Sequence, residues 1–161
     1  MIVTRLYEDR DFKRLCQLCQ GVVEYYQVDK IPDDSETTAY VRDYVLGEDS
    51  DVKVMMAFEG DTGIGLASFS IMYPSPNLKG QLYLKELFVD EEYRGKGVGQ
   101  ALMKAVARYA LDHNCSRMDW SAEKTNPSAL EFYQAIGATP LDIKVYYRIA
   151  SEDLESFADQ K

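Results

Sequence analysis

Along this chain the apolar positions change their spacing several times, and each change marks a predicted element. Ile2-Val3-Thr4-Arg5-Leu6 reads as a short strand. From Asp9 or Asp11 the spacing turns to threes and fours, with Phe12, Leu15, Cys16, Cys19, Val22 and Val23 on one stripe, which predicts a helix running to about Tyr25. Ser35, followed by Glu36, reads as the N-cap of a second helix whose apolar side is Tyr40, Val41, Tyr44 and Val45. The connection between them, Gln27 to Asp34, is polar and contains Pro32, so a mobile loop is predicted there.

Two apolar runs, Val52 to Phe58 and Ile64 to Tyr73, flank a Gly/Asp cluster at residues 59–63 and predict an antiparallel hairpin. Leu82 to Val89, rich in aromatic and branched residues, predicts the next strand. A helical face follows in Val98, Leu102, Ala105, Val106, Tyr109 and Ala110. Arg117 to Ser121 predicts a strand, Pro127 to Ile136 a short helix, Lys144 to Ile149 a last strand, and Ser151 to Phe157 a short amphipathic turn or helix. Antiparallel strands come first and β-α-β crossovers later, which is the order of a mixed α/β fold.

Length and charge narrow the function classes. The 161 residues, 46% apolar, suit one domain over residues 1–161 with a real core. The first residues are charged and carry no apolar signal core, and no run is long enough to span a bilayer, so a soluble cytoplasmic protein without a membrane partner is expected. A net charge of −9 argues against nucleic acid, which requires a basic face, and leaves cationic small molecules as ligands. Cys16 and Cys19 form a C-x-x-C pair that His113 and Cys115 could complete as a zinc site. Both lie in the helical stripe, however, and free cysteine is commonly buried, so core packing is the expected role and no metal is expected. His113, beside Asn114 where the long helical pattern stops, is expected to cap that helix.

The stretch Arg94-Gly95-Lys96-Gly97-Val98-Gly99 sets three alternating glycines at the mouth of a helix, where each costs about 1 kcal/mol relative to alanine. What they offer is backbone: without Cβ atoms, successive N–H groups can turn onto one anion, and the unpaired N–H groups of the helix point at the same place. The helix dipole and the cations Arg94 and Lys96 add to the attraction. A P-loop spacing is absent, and a dinucleotide fingerprint fails because the residue three after Gly97 is Gln100. On these glycines alone, a tight turn remains the alternative to an anion site.

Arg94 to Gly99, entered from a strand through Val89-Asp90-Glu91-Glu92-Tyr93, resembles the [RQ]-x-x-G-x-[GA] pyrophosphate loop of the GCN5-related N-acetyltransferases. Asn126-Pro127-Ser128-Ala129-Leu130-Glu131-Phe132-Tyr133-Gln134-Ala135-Ile136-Gly137-Ala138 is similar to that family's second mark, N-x-x-A-x-x-[FL]-Y-x-x-x-G-[FA]. Independently of the family, Asn126 is a good N-cap, Pro127 suits the first helical position, and Gly137 suits the residue after the C-cap. Asn126, Ala129 and Tyr133 share one face, and Tyr133 read without the resemblance is first of all a half-buried packing aromatic.

The resemblance implies a single-domain fold with a mixed, mostly antiparallel sheet of six or seven strands, central strands splayed, flanked by helices. It implies acetyl-CoA as cosubstrate, bound by Arg94, Gly95, Lys96, Gly97, Val98, Gly99 and Gln100, by Asn126, Ser128 and Tyr133, and by the backbone of Leu87, Phe88 and Val89. Tyr133 becomes the general acid for the leaving thiolate. Glu86, a carboxylate in a largely apolar strand, is the candidate base, with a satisfied structural carboxylate as its alternative and Glu24 and Glu123 in reserve. The segment is most similar to diamine and thialysine acetyltransferases, whose strand reads Y-L-E-D-F-F-V; here it is Tyr83-Leu84-Lys85-Glu86-Leu87-Phe88-Val89. Lys85 stands where an acid is expected and would repel a polyamine. Glu24, Tyr25, Tyr26, Lys85, Glu86 and the Asp33-Asp34 loop are the expected walls of the amine site. A homodimer is expected by the same resemblance, and a non-catalytic CoA sensor and an enzyme for protein amino groups are the other readings.

Overall fold

Five strands form one sheet in the order in which they occur: β1 (Ile2–Leu6), β2 (Lys53–Glu59), β3 (Thr62–Met72), β4 (Gly80–Val89) and β5 (Cys115–Asp119). The first four pair antiparallel and β5 joins β4 parallel. Before the hairpin lie α1 (Phe12–Tyr25) and α2 (Asp34–Tyr40), the latter running into a wider turn of helix at Val41–Val45. Between β4 and β5 lies α3 (Val98–Asp112); α4 (Pro127–Ala135) and α5 (Glu152–Ala158) follow the sheet. This computed structural model describes residues 1–26 and 30–159. The chain divides into two compact units, Met1–Ser121 with the whole sheet and Ala122–Lys161 with the last two helices.

Strand alternation assigns the two faces of the sheet. On one face Val54, Met56 and Phe58 of β2, Leu66 of β3 and Phe88 of β4 close a core with Leu15, Cys16 and Leu18 of α1 and Val41. Each fully buried leucine there contributes about 1.5–3 kcal/mol through the water it sheds. The other face packs on α3, whose buried side is Val98, Leu102, Met103, Val106 and Ala110. Phe69 meets the Tyr109 ring edge-on at 5.0 Å on that side.

Two features bring α1 close to β4. Gly21 lies in the helix interior, where a Cβ would come within 2.8 Å of the Phe88 ring, so the missing side chain is what admits that ring. Arg14 donates from Nε to the Gly63 carbonyl at 2.6 Å and pairs through Nη2 with Asp90 at 2.5 Å, tying the helix to the end of the strand. At the opposite edge Arg5 holds the buried Asp11 with two bonds of 2.6 and 2.9 Å, and this pairing keeps the Asp11 carboxyl below the ordinary carboxylate range.

The predicted elements are found with three differences. Five strands are present among the described residues where six or seven are expected, because Lys144 to Ile149 forms no strand. A strand exists only as half of a hydrogen-bonded ladder, and this apolar segment has no ladder; Val145, Tyr146 and Tyr147 are exposed. The fifth strand begins at Cys115 rather than Arg117, since Asn114, at φ 56°, turns the chain directly out of α3. The second helix is capped two positions earlier, by Asp33, whose carboxylate accepts from the N–H groups of Ser35 and Glu36 at 2.8 Å each. Part of the loop expected at Gln27 to Asp34, residues 27–29, lies outside the described residues.

Candidate functional site

The loop that follows β4 is built from backbone angles. After a single 3-10 turn at Glu91–Tyr93, Gly95 and Gly97 take φ values of +72° and +83°, and Gly97 is the N-cap of α3. Nothing lies within 4 Å of a Cβ at either glycine, so it is the left-handed backbone and not crowding that calls for them. Val98 buries its side chain under the helix, which leaves its N–H, with those of Gly99 and Gln100, at the mouth of a 15-residue helix without intrahelical acceptors. Arg94, Gly95, Lys96 and Gly97 are all exposed. The arrangement fits a pyrophosphate: unpaired donors, a positive helix end, and room around them.

The two cations of the loop have neighbours of their own. Arg94 donates from Nε to the Val89 carbonyl at 3.0 Å and lies over the rings of Tyr25 and Phe88, at 5.3 and 5.8 Å. Lys96 lies 5.1 Å over the Tyr93 ring.

Midway along β4 the pairing changes. Gly80 to Tyr83 are paired with β5, and beyond Tyr83 that ladder stops, while the ladder to β3 continues to Val89. The end of β4 is therefore paired on one side only, since β5 stops at Asp119. The Asp90 N–H donates to the Ile64 carbonyl at 3.0 Å and the Phe88 carbonyl faces Gly65, so the Phe88 backbone is turned to β3. By alternation the peptide groups of Leu87 and Val89 point to the side without a ladder. The expected backbone contribution of Leu87, Phe88 and Val89 thus reduces to the first and last.

The same strand carries a register shift that the sequence reading did not include. Leu84 pairs with Phe69 and Glu86 with Ser68, so Lys85 is the extra residue of a bulge. Leu82, Leu84, Leu87 and Val89 all face α3, at spacings of two, three and two; the step of three is the bulge. Its effect is to turn Glu86 onto the other face, beside Phe88 and under the end of α1. The signal was present as a charged pair interrupting a strand of period two, Leu84-Lys85-Glu86-Leu87.

Glu86 is half-buried, and its carboxyl is pushed above the ordinary carboxylate value by burial, against the opposing pull of Lys85, the Leu87 N–H and Tyr26. The Tyr26 hydroxyl lies 3.4 Å from both carboxylate oxygens. Cys19 lies close enough to feel the Glu86 charge, and burial pushes its thiol up to about 12, so it stays a thiol at any working pH. Cys16, Cys19 and Cys115 are all free, and among the described residues no group of three or more His, Cys, Asp or Glu side chains is arranged to hold a metal. His113 is the C-cap of α3, its Nδ1 2.8 Å from the Tyr109 carbonyl.

Of the expected walls of the amine site, Tyr26 and Glu86 are brought together. Lys85 is exposed at the bulge, and Glu24 is exposed on the last turn of α1, where it accepts from Gln20 at 3.4 Å. Asp33 is committed to capping α2. Arg14, which neutralises Asp90 at the entry to the glycine loop, was not among the sequence candidates, and nothing in its local sequence marks it.

The second unit holds Asn126, Ser128 and Tyr133. Asn126 caps α4, its Oδ1 accepting from the Ala129 N–H at 3.1 Å, and Pro127 opens the helix. At the far end the Ala138 N–H reaches the Tyr133 carbonyl and the Gly137 N–H the Gln134 carbonyl, each at 3.0 Å, with Gly137 at φ +83°. This two-bond closure fixes where α4 stops. The Tyr133 ring lies 5.2 Å from that of Phe132.

The chain is similar to several known proteins. Bovine thialysine N-epsilon-acetyltransferase is 39% identical over 80 residues, covering 49% of this chain and 45% of the relative. The spermine/spermidine N(1)-acetyltransferase of Bacillus subtilis strain 168 is 32% identical over 87 residues, 52% of this chain and 57% of the relative. The chain thus spans about half the length of the curated relatives it matches. Among solved structures, an integron cassette protein from the mobile metagenome of V. cholerae superposes with a TM-score of 0.93 at 39% identity, covering 99% of this chain and 98% of that one. An aminoglycoside N-acetyltransferase solved in complex with CoA shares the fold at a TM-score of 0.74 and 20% identity, over 92% and 94% of the two chains. The profile of the Acetyltransferase (GNAT) family matches residues 17–138, and the chain belongs to that family.

Proposed function

We propose that this protein is an acetyl-CoA-dependent N-acetyltransferase acting on a primary amine of a small molecule. The observation that carries this reading is that one strand, β4, supplies both halves of the reaction: the glycine cradle at its end, and a half-buried carboxylate, Glu86, beside the stretch where its ladder to β5 has stopped. When bound, acetyl-CoA supplies the activated acetyl thioester. The backbone at Gly95, Gly97, Val98, Gly99 and Gln100, with Arg94 and Lys96, would hold the pyrophosphate, and the backbone of Leu87 and Val89 on the unladdered side of β4 would orient the acyl arm. Glu86 takes the proton that the amine must lose as its nitrogen attacks, and burial, which raises its proton affinity, makes it a stronger base than an exposed carboxylate. By the family resemblance Tyr133 is assigned the return of a proton to the departing thiolate, and Asn126 and Ser128 a part in binding the donor.

The family match, running from residue 17 to 138 across both units, supports treating residues 1–161 as one acetyltransferase domain. Similar enzymes are named for thialysine, for spermine and spermidine, and for L-ornithine, which favours a small cationic acceptor. Lys85 disfavours a second positive charge next to Glu86, so a long polyamine is the poorer candidate. We infer as well a cytoplasmic homodimer: the three cysteines are free, and the exposed apolar run at Ile143, Val145, Tyr146 and Tyr147 is a surface that a second copy would cover. Among the described residues no helix is long and apolar enough to cross a membrane.

The test is free-thiol release from acetyl-CoA across a panel of amines, amino acids and lysine-containing peptides. Turnover with a small amine supports the reading, and turnover confined to peptides moves the substrate to protein amino groups. Acetyl-CoA binding without any turnover would make the protein a CoA-binding sensor. In the same assay Tyr133→Phe should lower turnover about tenfold or more while leaving acetyl-CoA affinity nearly intact.

A further inference from the structure

Glu86 is held from across the sheet face by a residue of a different element. Tyr26 is the C-cap of α1, and its position is set by three contacts of that helix: Gly21 seated on the Phe88 ring, Arg14 bonded to Gly63 and Asp90, and the Tyr26 ring edge-on to Tyr25 at 5.5 Å. These fix the approach of α1 to β4, and the bulge at Lys85 turns Glu86 to meet it. The result is a hydroxyl 3.4 Å from Oε1 and 3.4 Å from Oε2, centred between the two oxygens.

We propose that Tyr26 is a positioning residue for the reaction: its hydroxyl donates to the Glu86 carboxylate and holds it, as an ionised acceptor, facing the amine. This inference rests on Glu86 being the base. Among the described residues, groups from three elements act on or face the carboxylate. From α1 come the Cys19 thiol and the Tyr26 hydroxyl, from β4 the Lys85 ammonium and the Leu87 N–H, and from β3 the register partner is Ser68. Burial disfavours the charged form, and the thiol, pushed up to about 12, offers no compensating charge. Lys85 and the Leu87 N–H belong to the strand itself, and Lys85 is exposed to solvent that screens it. Among the described residues Tyr26 is therefore the donor brought by tertiary structure, and its removal leaves the carboxylate with more affinity for a proton and freedom to rotate.

The experiment is Tyr26→Phe in the full chain, which keeps the ring and its contact with Tyr25. Two readouts are taken: the pH profile of kcat/KM, and the titration of the Glu86 carboxyl followed by carbon NMR. The expected result is a Glu86 midpoint moved to higher pH, an acidic limb moved with it, and a rate about threefold to tenfold lower on that limb, as for the loss of one net hydrogen bond. The rate on the plateau should change less. A Glu86 midpoint identical in Tyr26→Phe and wild type would overturn the inference. Glu86→Gln, measured alongside, separates the two ideas: if it turns over at the wild-type rate, Glu86 is not the base, and the reading beneath the inference fails whatever the NMR shows.

Discussion

The loop after β4 and the middle of β4 lie a few residues apart and are specified in different ways. The loop owes its shape to two left-handed glycines and a helix mouth, and its useful groups are main-chain N–H donors. Glu86 owes its place to a bulge, to a glycine in another helix that lets Phe88 in, and to a tyrosine at that helix's end. Backbone geometry of the first kind is carried by the residues that form it and tolerates changes around them. Side-chain geometry of the second kind is a product of tertiary packing, so substitutions far along the chain reach it. A family that keeps one donor and changes its acceptor can do so by altering the second region and leaving the first alone.

That contrast is broken most severely by Glu86→Gln. Removal of the proposed general base costs about 10²–10⁴ in rate, so kcat should fall by about a hundredfold or more. Affinity for acetyl-CoA, measured by titration calorimetry, should stay within about twofold, since one tenfold change needs 1.4 kcal/mol and no loop contact is touched. A parallel loss of donor affinity would mean that the two regions are one.

Gly97→Val is the converse. Its φ of +83° is a region that a branched side chain enters at a cost of about 1–3 kcal/mol, so acetyl-CoA should bind about tenfold more weakly or worse, while the Glu86 titration is unmoved. Gly60→Val is the control: that residue has φ +59° in the β2–β3 turn, also with nothing within 4 Å of a Cβ. Equal losses of affinity in both variants would show that general destabilisation, not the cradle, is being read.

How far each region was legible in the sequence follows from the same difference. Gly95 and Gly97 announce their backbone directly, because only glycine is placed so often where φ is positive, and Asn126, Pro127 and Gly137 announce the ends of α4 in the same way. The long helices were legible from their stripes. Glu86 was visible as a carboxylate in an apolar strand and Tyr26 as a wall of the amine site, but not their pairing: they lie 60 residues apart, and the face on which they meet depends on an extra residue in the ladder. Arg14 was invisible for the same reason, being 76 residues from Asp90. The strand expected at Lys144 to Ile149 was read from an apolar pattern alone, and a pattern does not say whether a ladder awaits it.

Arg14 joins the two regions, and so Arg14→Met should affect both modestly. It removes a bond to Gly63 and an ion pair to Asp90 whose side chains are each about one-third exposed. A loss of about 1–2 kcal/mol is expected, lowering Tm by about 2–8 °C for a chain of this size. Acetyl-CoA affinity and the Tyr26–Glu86 contact should each weaken, but less than in the direct variants. A variant that lost stability while keeping both would place Arg14 in the scaffold only.

The smallest effect is on stability against pH, and here two carboxylates act with opposite sign. Asp11 is held low, chiefly by its hydrogen bonds to Arg5; its contribution is present above the unfolded value of about 3.9 and is lost as pH falls through the lower folded value. Glu86 is held high, chiefly by burial; its favourable contribution is complete below the unfolded value of about 4.3 and is lost as pH rises through the higher folded one. Asp11→Asn should therefore lower Tm near neutral pH, and the deficit should shrink as pH falls through the acid range. Glu86→Gln should do the reverse, raising Tm slightly at pH 7 and not at pH 4, with the gain appearing over the pH range in which the wild-type carboxyl ionises. A thermal-shift series from pH 4 to 8 measures both. If Glu86→Gln lowers Tm at pH 7, the ionised carboxylate is a net stabiliser in the fold, and the strand has not paid in stability for a base.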